Sequence, residues 1–545
     1  MPPEADAGIS AGYGPIAMLL VMMAVSVWLG TQAQKAVERG GFMKGYFLGN
    51  RGLGAWALAL TATVQSGGTF MGFPSLVYTH GWIVALWIAS YMVVPITGFA
   101  VLGKRFAQLS RRTGAITVPD LFDARYGDQR VGIVASLAIL AFMTFLMIAQ
   151  FKAGALVMKL TWPEGLSLGE SFLATTDPGG VDGRYLVGLA VFAITVVGYT
   201  LIGGFLASVW TDLFQSVLML IGVVLLFMLV VPFASQNGMH TPTLEAVAAT
   251  DNAYAFGPGY SPSGLAFLPL GVAISFFFIW PVGGIGSPAG MVRLMACNST
   301  DTLRRSIVLL SFYNVLIYIP LIVICICGRA LMPDVQTSDE IIPRLAIWAA
   351  PDFAGGSLVS GLILAAPFGA VMATVSTFLV VIASGVVRDV YQRFLRPNAG
   401  ETEIRRLTHV VMVVLGVIGV VSNISPVEFL QKLVVFSASA TASTFVAPAL
   451  VLAYWRRATA VGSMAGMIGG AAAVLTLFTC GPLVEGKNLF DPYQLFGVDP
   501  VVWGLAASAV LCVVVSLVTS PPPEEHVSRL FDAVPPTSGA EGVPA

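Results

Sequence analysis

Apolar residues in this chain arrive in blocks of about 20, the length an α-helix needs to cross roughly 30 Å of hydrocarbon, and nothing else restricts its fold so strongly. Thirteen such blocks are legible, at 14–33, 53–78, 82–103, 131–157, 185–203, 206–234, 264–286, 306–328, 357–387, 407–423, 427–454, 459–480 and 499–519. They predict an all-α polytopic membrane protein with about 13 transmembrane helices. Residues 1–519 then form a single transmembrane domain. Only 10% of the residues are charged and 56% are hydrophobic, where soluble domains carry about a quarter charged residues. Lipid is therefore the solvent this sequence expects.

Charge outside the blocks orients them. Segments after odd-numbered blocks hold Lys104, Arg105, Arg111, Arg112, Arg125 and Arg130, then Arg293, Arg304 and Arg305, and later Arg388, Arg393, Arg405, Arg406, Arg456 and Arg457. The opposite segments carry only Lys159, Arg184, Arg329, Arg344 and Lys487, set among acidic residues. Lys and Arg concentrate on the cytoplasmic side of membrane proteins, so the N-terminus is placed outside and the C-terminus in the cytoplasm. That suits a multi-pass protein of the inner (plasma) membrane. The polar stretches 334–352 and 481–498 become external loops, with a short amphipathic helix expected within Ile341–Ala350, and the proline-rich 520–545 becomes a disordered cytoplasmic tail.

A net charge of −1 leaves no basic face for nucleic acid. Four scattered histidines, His80, His240, His409 and His526, show no metal-ligand spacing, and no buried carboxylate pair suggests catalysis. The chain is not expected to be an enzyme. The bilayer is its first expected partner, with nothing calling for an obligatory protein partner.

Two blocks are poorly made helices. In the second, Gln65, Ser66, Gly67, Gly68 and Thr69 interrupt the apolar run, followed by Gly72 and Pro74; in the seventh, Pro281, Gly283, Gly284, Gly286 and Pro288 do the same. Irregular backbone at membrane depth is tolerated beside a cavity or ligand, although glycine also serves close helix packing. These blocks lie five apart and enter from opposite sides, as in two inverted five-helix repeats, about 53–234 and 264–454, with 14–33, 459–480 and 499–519 as extra helices. A break frees carbonyl oxygens, which suit a small hard cation, and those of Ala62 and Gln65 are the natural donors. In the ninth block Ala370, Thr374 and Thr377 share a helical face, although such hydroxyls also bond back to their own helix.

The segments YFLGNRGLGAWALALTATVQSGGTFMGFPSLVYTHGW (46–82), GGFLASVWTDLFQSVLMLIG (203–222) and APFGAVMATVSTFLVVIASGVVRDVY (366–391) resemble three signature regions of the sodium:solute symporter family. The resemblance spans nearly the whole chain, and KRFAQLSRRTGAITVPDLFDARYG (104–127) places it nearest the pantothenate symporters, ahead of the proline and monocarboxylate carriers. It implies a fold like that of amino-acid/sodium transporters, alternating access, and Na+ as the coupling ion. Carried over residue by residue, it implies a sodium site of the Ala62, Gln65 and Ala370 carbonyls with hydroxyls at 373 and 374. Position 374 is Thr, but 373 is Ala where the family usually has Ser, so one oxygen is missing and weaker sodium binding is expected.

Asp212 matches the aspartate of the family's WTD motif. It would attract sodium leaving toward the cytoplasm, or pair with a loop arginine. Lys152, also within a span, either snorkels outward or meets a substrate carboxylate, which pantothenate and monocarboxylates both carry. The remaining substrate contacts are expected from Ser66 and Thr69 at the first break, Phe277 and Trp280 at the second, and Ser437 and Thr441 in the eleventh span, where helix packing is the competing role.

Overall fold

The computed structural model describes residues 12–38, 46–49, 53–62, 66–163, 183–236, 269–332, 335–350, 356–424, 430–488 and 490–532. They fold into helices α1 (Gly14–Glu38), α2 (Ala55–Ala62), α3 (Phe73–His80), α4 (Ala85–Gly98), α5 (Lys104–Thr113) and α6 (Val118–Tyr126). Next come α7 (Gln129–Thr161), α8 (Gly183–Gln236), α9 (Leu270–Gly283), α10 (Pro288–Met295), α11 (Thr300–Leu331) and α12 (Ile341–Trp348). The chain continues through α13 (Gly356–Ser384), α14 (Glu401–Val421), α15 (Leu430–Tyr454), α16 (Ala460–Glu485), α17 (Pro500–Val518) and α18 (Glu524–Phe531). Among the described residues, nine helices are long and apolar enough to cross a membrane, and α9 with α10, bent by 41°, makes a tenth. The other expected spans are the second arm of α8, the interrupted pair α2 and α3, and the run α4 to α5.

Helix α8 would be about 80 Å long if straight, far beyond the hydrocarbon thickness. Gly204 divides it, with φ 56 and ψ −136, a conformation that costs a residue with a Cβ dearly. The Tyr46 ring packs on that glycine, where an added Cβ would come within 2.6 Å of it. The Tyr46 hydroxyl donates to the Leu201 carbonyl at 3.2 Å and so satisfies backbone freed by the bend.

Core and periphery separate cleanly. Helices α13 and α15 are wrapped by other helices, with 94% and 83% of their apolar windows buried, against 33% for α1 and 28% for α16. Leu20 and Trp28 on α1 and Val413 and Val417 on α14 are exposed, as lipid-facing side chains should be. Small residues set the close contacts. A Cβ at Gly470 of α16 would stand 2.1 Å from the Ser443 carbonyl oxygen of α15. Gly470→Ala is therefore expected to destabilise the protein by about 1–3 kcal/mol, seen as a lower thermal midpoint in detergent. An unchanged midpoint would show that the two helices part freely.

Two loop expectations change. Residues 341–348 are helical, as expected, but Ile341, Ile342, Leu345 and Ile347 are buried, so α12 is inserted into the bundle rather than laid on its surface. The tail expected to be disordered from 520 instead forms α18 directly after the proline run. Val527 and Leu530 are buried, the Phe531 ring sits against the guanidinium groups of Arg105 and Arg125, and Arg112 Nη1 donates to the Leu530 carbonyl at 2.7 Å. Its apolar residues recur at i, i+3 and i+4, a helical stripe that the preceding prolines mask in a compositional reading. Residues 533–545 and 264–268 lie outside the described residues.

Candidate functional site

The expected interruption of the seventh block is present, and that of the second is seen at Ser66. Helix α2 is described as far as Ala62, residues 63–65 lie outside the described residues, and after the non-helical Ser66 the chain resumes as a π-helical turn, Gly68–Gly72, leading into α3. Helix α9 ends at Gly283, passes through a 3₁₀ turn at Gly284–Gly286, and restarts at α10, where the Ser287 hydroxyl caps the Gly290 N–H at 3.4 Å. Proline at the first position of α10 and serine before it make a strong start signal, which fixes the bend locally.

Between the breaks lies a cavity of about 190 Å3, large enough for a small organic molecule. Ser66 and Thr69 line it from the first break, Trp280, Gly283 and Gly284 from the second, Thr374 from α13 and Thr441 from α15. One wall is aromatic: Trp280 stacks on Tyr91 at 4.4 Å and Tyr91 on Tyr318 at 4.9 Å between ring centroids. The Tyr318 hydroxyl lies 3.3 Å from Thr69 Oγ1, so this wall is tied to the first break. Among the described residues the lining offers hydroxyls and the Asn314 amide but no formally charged side chain.

The proposed ion donors share this neighbourhood. Thr374 Oγ1 donates to the Ala370 carbonyl at 2.9 Å, which fixes the orientation of this hydroxyl on α13. The first break lies on the same stretch of α13, since a Cβ at Gly67 would come 3.3 Å from Val371. Arg293 of α10 also links the two: its Nε donates to Thr61 Oγ1 at 3.2 Å and its Nη2 to Thr377 Oγ1 at 2.7 Å, next to Ala62 and one turn from Thr374 respectively. Carbonyl and hydroxyl oxygens are the donors a small hard cation takes, so the residues present fit sodium. Ala373 contributes no side-chain oxygen, and its carbonyl accepts the Ser376 hydroxyl at 3.0 Å. Gln65 lies outside the described residues.

Asp212, deep in α8, is paired. Its Oδ2 accepts from Arg293 Nη2 at 2.7 Å, and Ser208, Ser376 and Thr377 surround it with hydroxyls at 3.4–3.5 Å. Both charged side chains are almost fully buried. The sequence places Arg293 in a loop and counts it for orientation. The signal that could have found it is the cost of leaving the Asp212 carboxylate inside a span without a cation.

The other expected contacts divide. Lys152 does not line the cavity: its Nζ meets the Asp339 carboxylate at 3.1 Å, with both side chains buried. Phe277 lies off the cavity against Phe278, and the Ser437 hydroxyl donates to the Phe142 carbonyl at 2.5 Å, the packing role foreseen for it. Ser66, Thr69, Trp280, Thr374 and Thr441 are the expected residues that the fold brings together around the cavity.

The family model described as the sodium:solute symporter family matches residues 46–176 and 180–470. Sodium/pantothenate symporters from Haemophilus influenzae and Escherichia coli are each 29% identical to this chain, over 87% and 85% of it and 90% and 89% of their own lengths. A sodium/proline symporter from Haemophilus influenzae is 26% identical over 89% of this chain and 91% of its own. Among solved structures, a substrate-bound Na+-coupled sialic acid symporter superposes with a TM-score of 0.68 at 18% identity, covering 94% of this chain and 99% of that one. A nucleobase-cation-symport-1 family transporter superposes at 0.50 and 15% identity, covering 88% and 95%.

Proposed function

The chain belongs to the sodium:solute symporter family, a sodium-coupled carrier of a small organic solute rather than an enzyme, and from that membership we propose that its solute is a carboxylate of the pantothenate or monocarboxylate kind. The observation that carries the reading is the convergence of two interrupted helices on one cavity that Thr374 also lines. Likeness to sodium/pantothenate symporters at 29% identity supports the choice of solute class.

In this reading sodium is held by the carbonyls of Ala62, Gln65 and Ala370 and the Thr374 hydroxyl. The solute lies beside it against Ser66, Thr69, Trp280 and Thr441. Residues 53–234 and 264–454 act as two inverted repeats that rock around the shared site, so that it faces each side in turn. Asp212 draws departing sodium toward the cytoplasm, and Arg293 must yield for it to do so. The arginine-rich face, with α5, α6 and α18, is cytoplasmic, the N-terminus and α12 are external, and the protein resides in the inner membrane.

The test is uptake into proteoliposomes of labelled pantothenate, lactate, acetate and proline under an imposed sodium gradient. Accumulation of one of the three anions without the zwitterion proline is expected. Accumulation of proline alone would overturn the solute class, and uptake under a proton gradient alone would overturn its coupling.

A further inference from the structure

Away from the cavity, the hairpin that carries α12 is fastened to the bundle by acidic residues. Glu340 is paired with Lys159 of α7 at 3.4 Å and, within its own segment, with Arg344 at 2.8 Å, and the Ser338 hydroxyl meets Ser75 at 2.5 Å. Asp339 reaches furthest inward. Its Oδ2 takes the Lys152 ammonium at 3.1 Å and the N–H of Leu430, in α15, at 3.4 Å. Its Oδ1 is buried and accepts no hydrogen bond among the described residues.

The next residue, Gln431, is only 5% exposed, and among the described residues neither its Oε1 nor its Nε2 has a hydrogen-bond partner. Its amide lies against the first break, where Gln431 Oε1 would be 3.4 Å from a Cβ at residue 68. Buried polar groups of native proteins are nearly always paired, so a half-satisfied carboxylate on the Leu430 N–H and an unsatisfied amide on the following residue point to room for another occupant. An ammonium and a backbone N–H are donors that a carboxylate takes, and the Gln431 amide, one residue on, is a third donor of the right kind. The carboxylate now there belongs to the protein's own hairpin.

Building on the reading that the solute is a carboxylate, we propose that Lys152, the Leu430 N–H and the Gln431 amide form a carboxylate-receiving entry site. Asp339 fills it in the closed state. The carboxylate of an arriving organic anion displaces Asp339 from Lys152, and the hairpin is released. A neutral solute leaves it closed, so the site selects for charge before the solute reaches the uncharged cavity. The substrate contact expected of Lys152 is then made at the entry site and not in the cavity.

The test reads hairpin release and needs no transport. Ser75 is 2% exposed and covered by Ser338, so Ser75→Cys in the full chain, reconstituted in nanodiscs, is labelled by a membrane-impermeant maleimide only when the hairpin lifts. The wild-type chain gives the labelling background of the native cysteines. Saturating sodium acetate is expected to accelerate labelling roughly tenfold over sodium chloride of equal ionic strength, and acetamide not at all. Adding Asp339→Asn should make labelling fast with or without acetate, while Lys152→Arg keeps the acetate response. The double variant Lys152→Gln/Asp339→Asn, which leaves no orphan charge, should be fast and indifferent to acetate.

Equal effects of acetate and acetamide, no acceleration by acetate, or an acetate response that survives in the double variant would each overturn the site. Loss of sodium-driven carboxylate uptake in the transport assay, with the labelling pattern intact, would instead overturn the solute class.

Discussion

Thr374→Ala abolishes sodium-driven uptake while the folded protein persists, if the ion lies where the cavity and the first break meet. Thr374 is 1% exposed, lines the cavity, and orients its hydroxyl by donating to the Ala370 carbonyl. Position 373 already lacks the hydroxyl usual in the family, so the substitution removes the last side-chain oxygen of the set. Hard cations of this kind are held by several oxygens at once, and three carbonyls alone would hold sodium too weakly to couple. The cost to stability is small, since the truncation removes a methyl and a hydroxyl whose hydrogen bond stays within one helix, worth about 1 kcal/mol. Sodium-dependent uptake and the thermal midpoint together check this. Uptake at the wild-type rate would move the ion elsewhere. The converse change, Ala373→Ser, should lower the sodium concentration for half-maximal uptake several-fold, and an unchanged sodium dependence would mean that residue 373 faces away from the ion.

Arg293→Gln should be the most destabilising single substitution in the membrane interior. It removes the guanidinium that neutralises Asp212 and also the bonds to Thr61 and Thr377 that hold α2, α10 and α13 together. Breaking a buried pair by removing one partner costs about 3–5 kcal/mol, because the remaining charge stays buried and uncompensated. The thermal midpoint in detergent or nanodiscs measures it. The double variant Asp212→Asn/Arg293→Gln removes both charges and should recover most of the loss. Transport separates structure from function: if Asp212 draws sodium out, the double variant stays slow even when its stability has returned. A single variant as stable as wild type would show that the pair is wetter than its burial indicates.

Much of this molecule is written locally. The span lengths, the two breaks and the caps of α10 follow from short runs such as QSGGT and PVGGIGSP, because glycine and proline act on their own turn of helix. Thr374 is readable for a related reason, as a hydroxyl one turn from Ala370 on an otherwise apolar helix. The side chains that face the cavity are less readable. Phe277 and Trp280 are equally plausible by type, yet only Trp280 faces inward. In a soluble helix, periodicity would tell them apart, but here lipid and protein interior are both apolar, so the rotation of a span about its axis leaves little trace in its composition.

Pairing is the least local property of all. Lys152 and Asp339 are 187 residues apart, and Asp212 and Arg293 are 81 apart. A lone charge in a span announces that a partner exists, because burying it alone is costly. Which residue answers depends on how the helices pack. By itself the sequence determined that this is a many-span protein with two interrupted apolar blocks, and its family motifs marked it as a sodium-coupled carrier. The tertiary structure alone decided that Lys152 turns to Asp339 and Asp212 to Arg293, because a charge inside the bilayer is settled by whatever opposite charge the fold brings within reach.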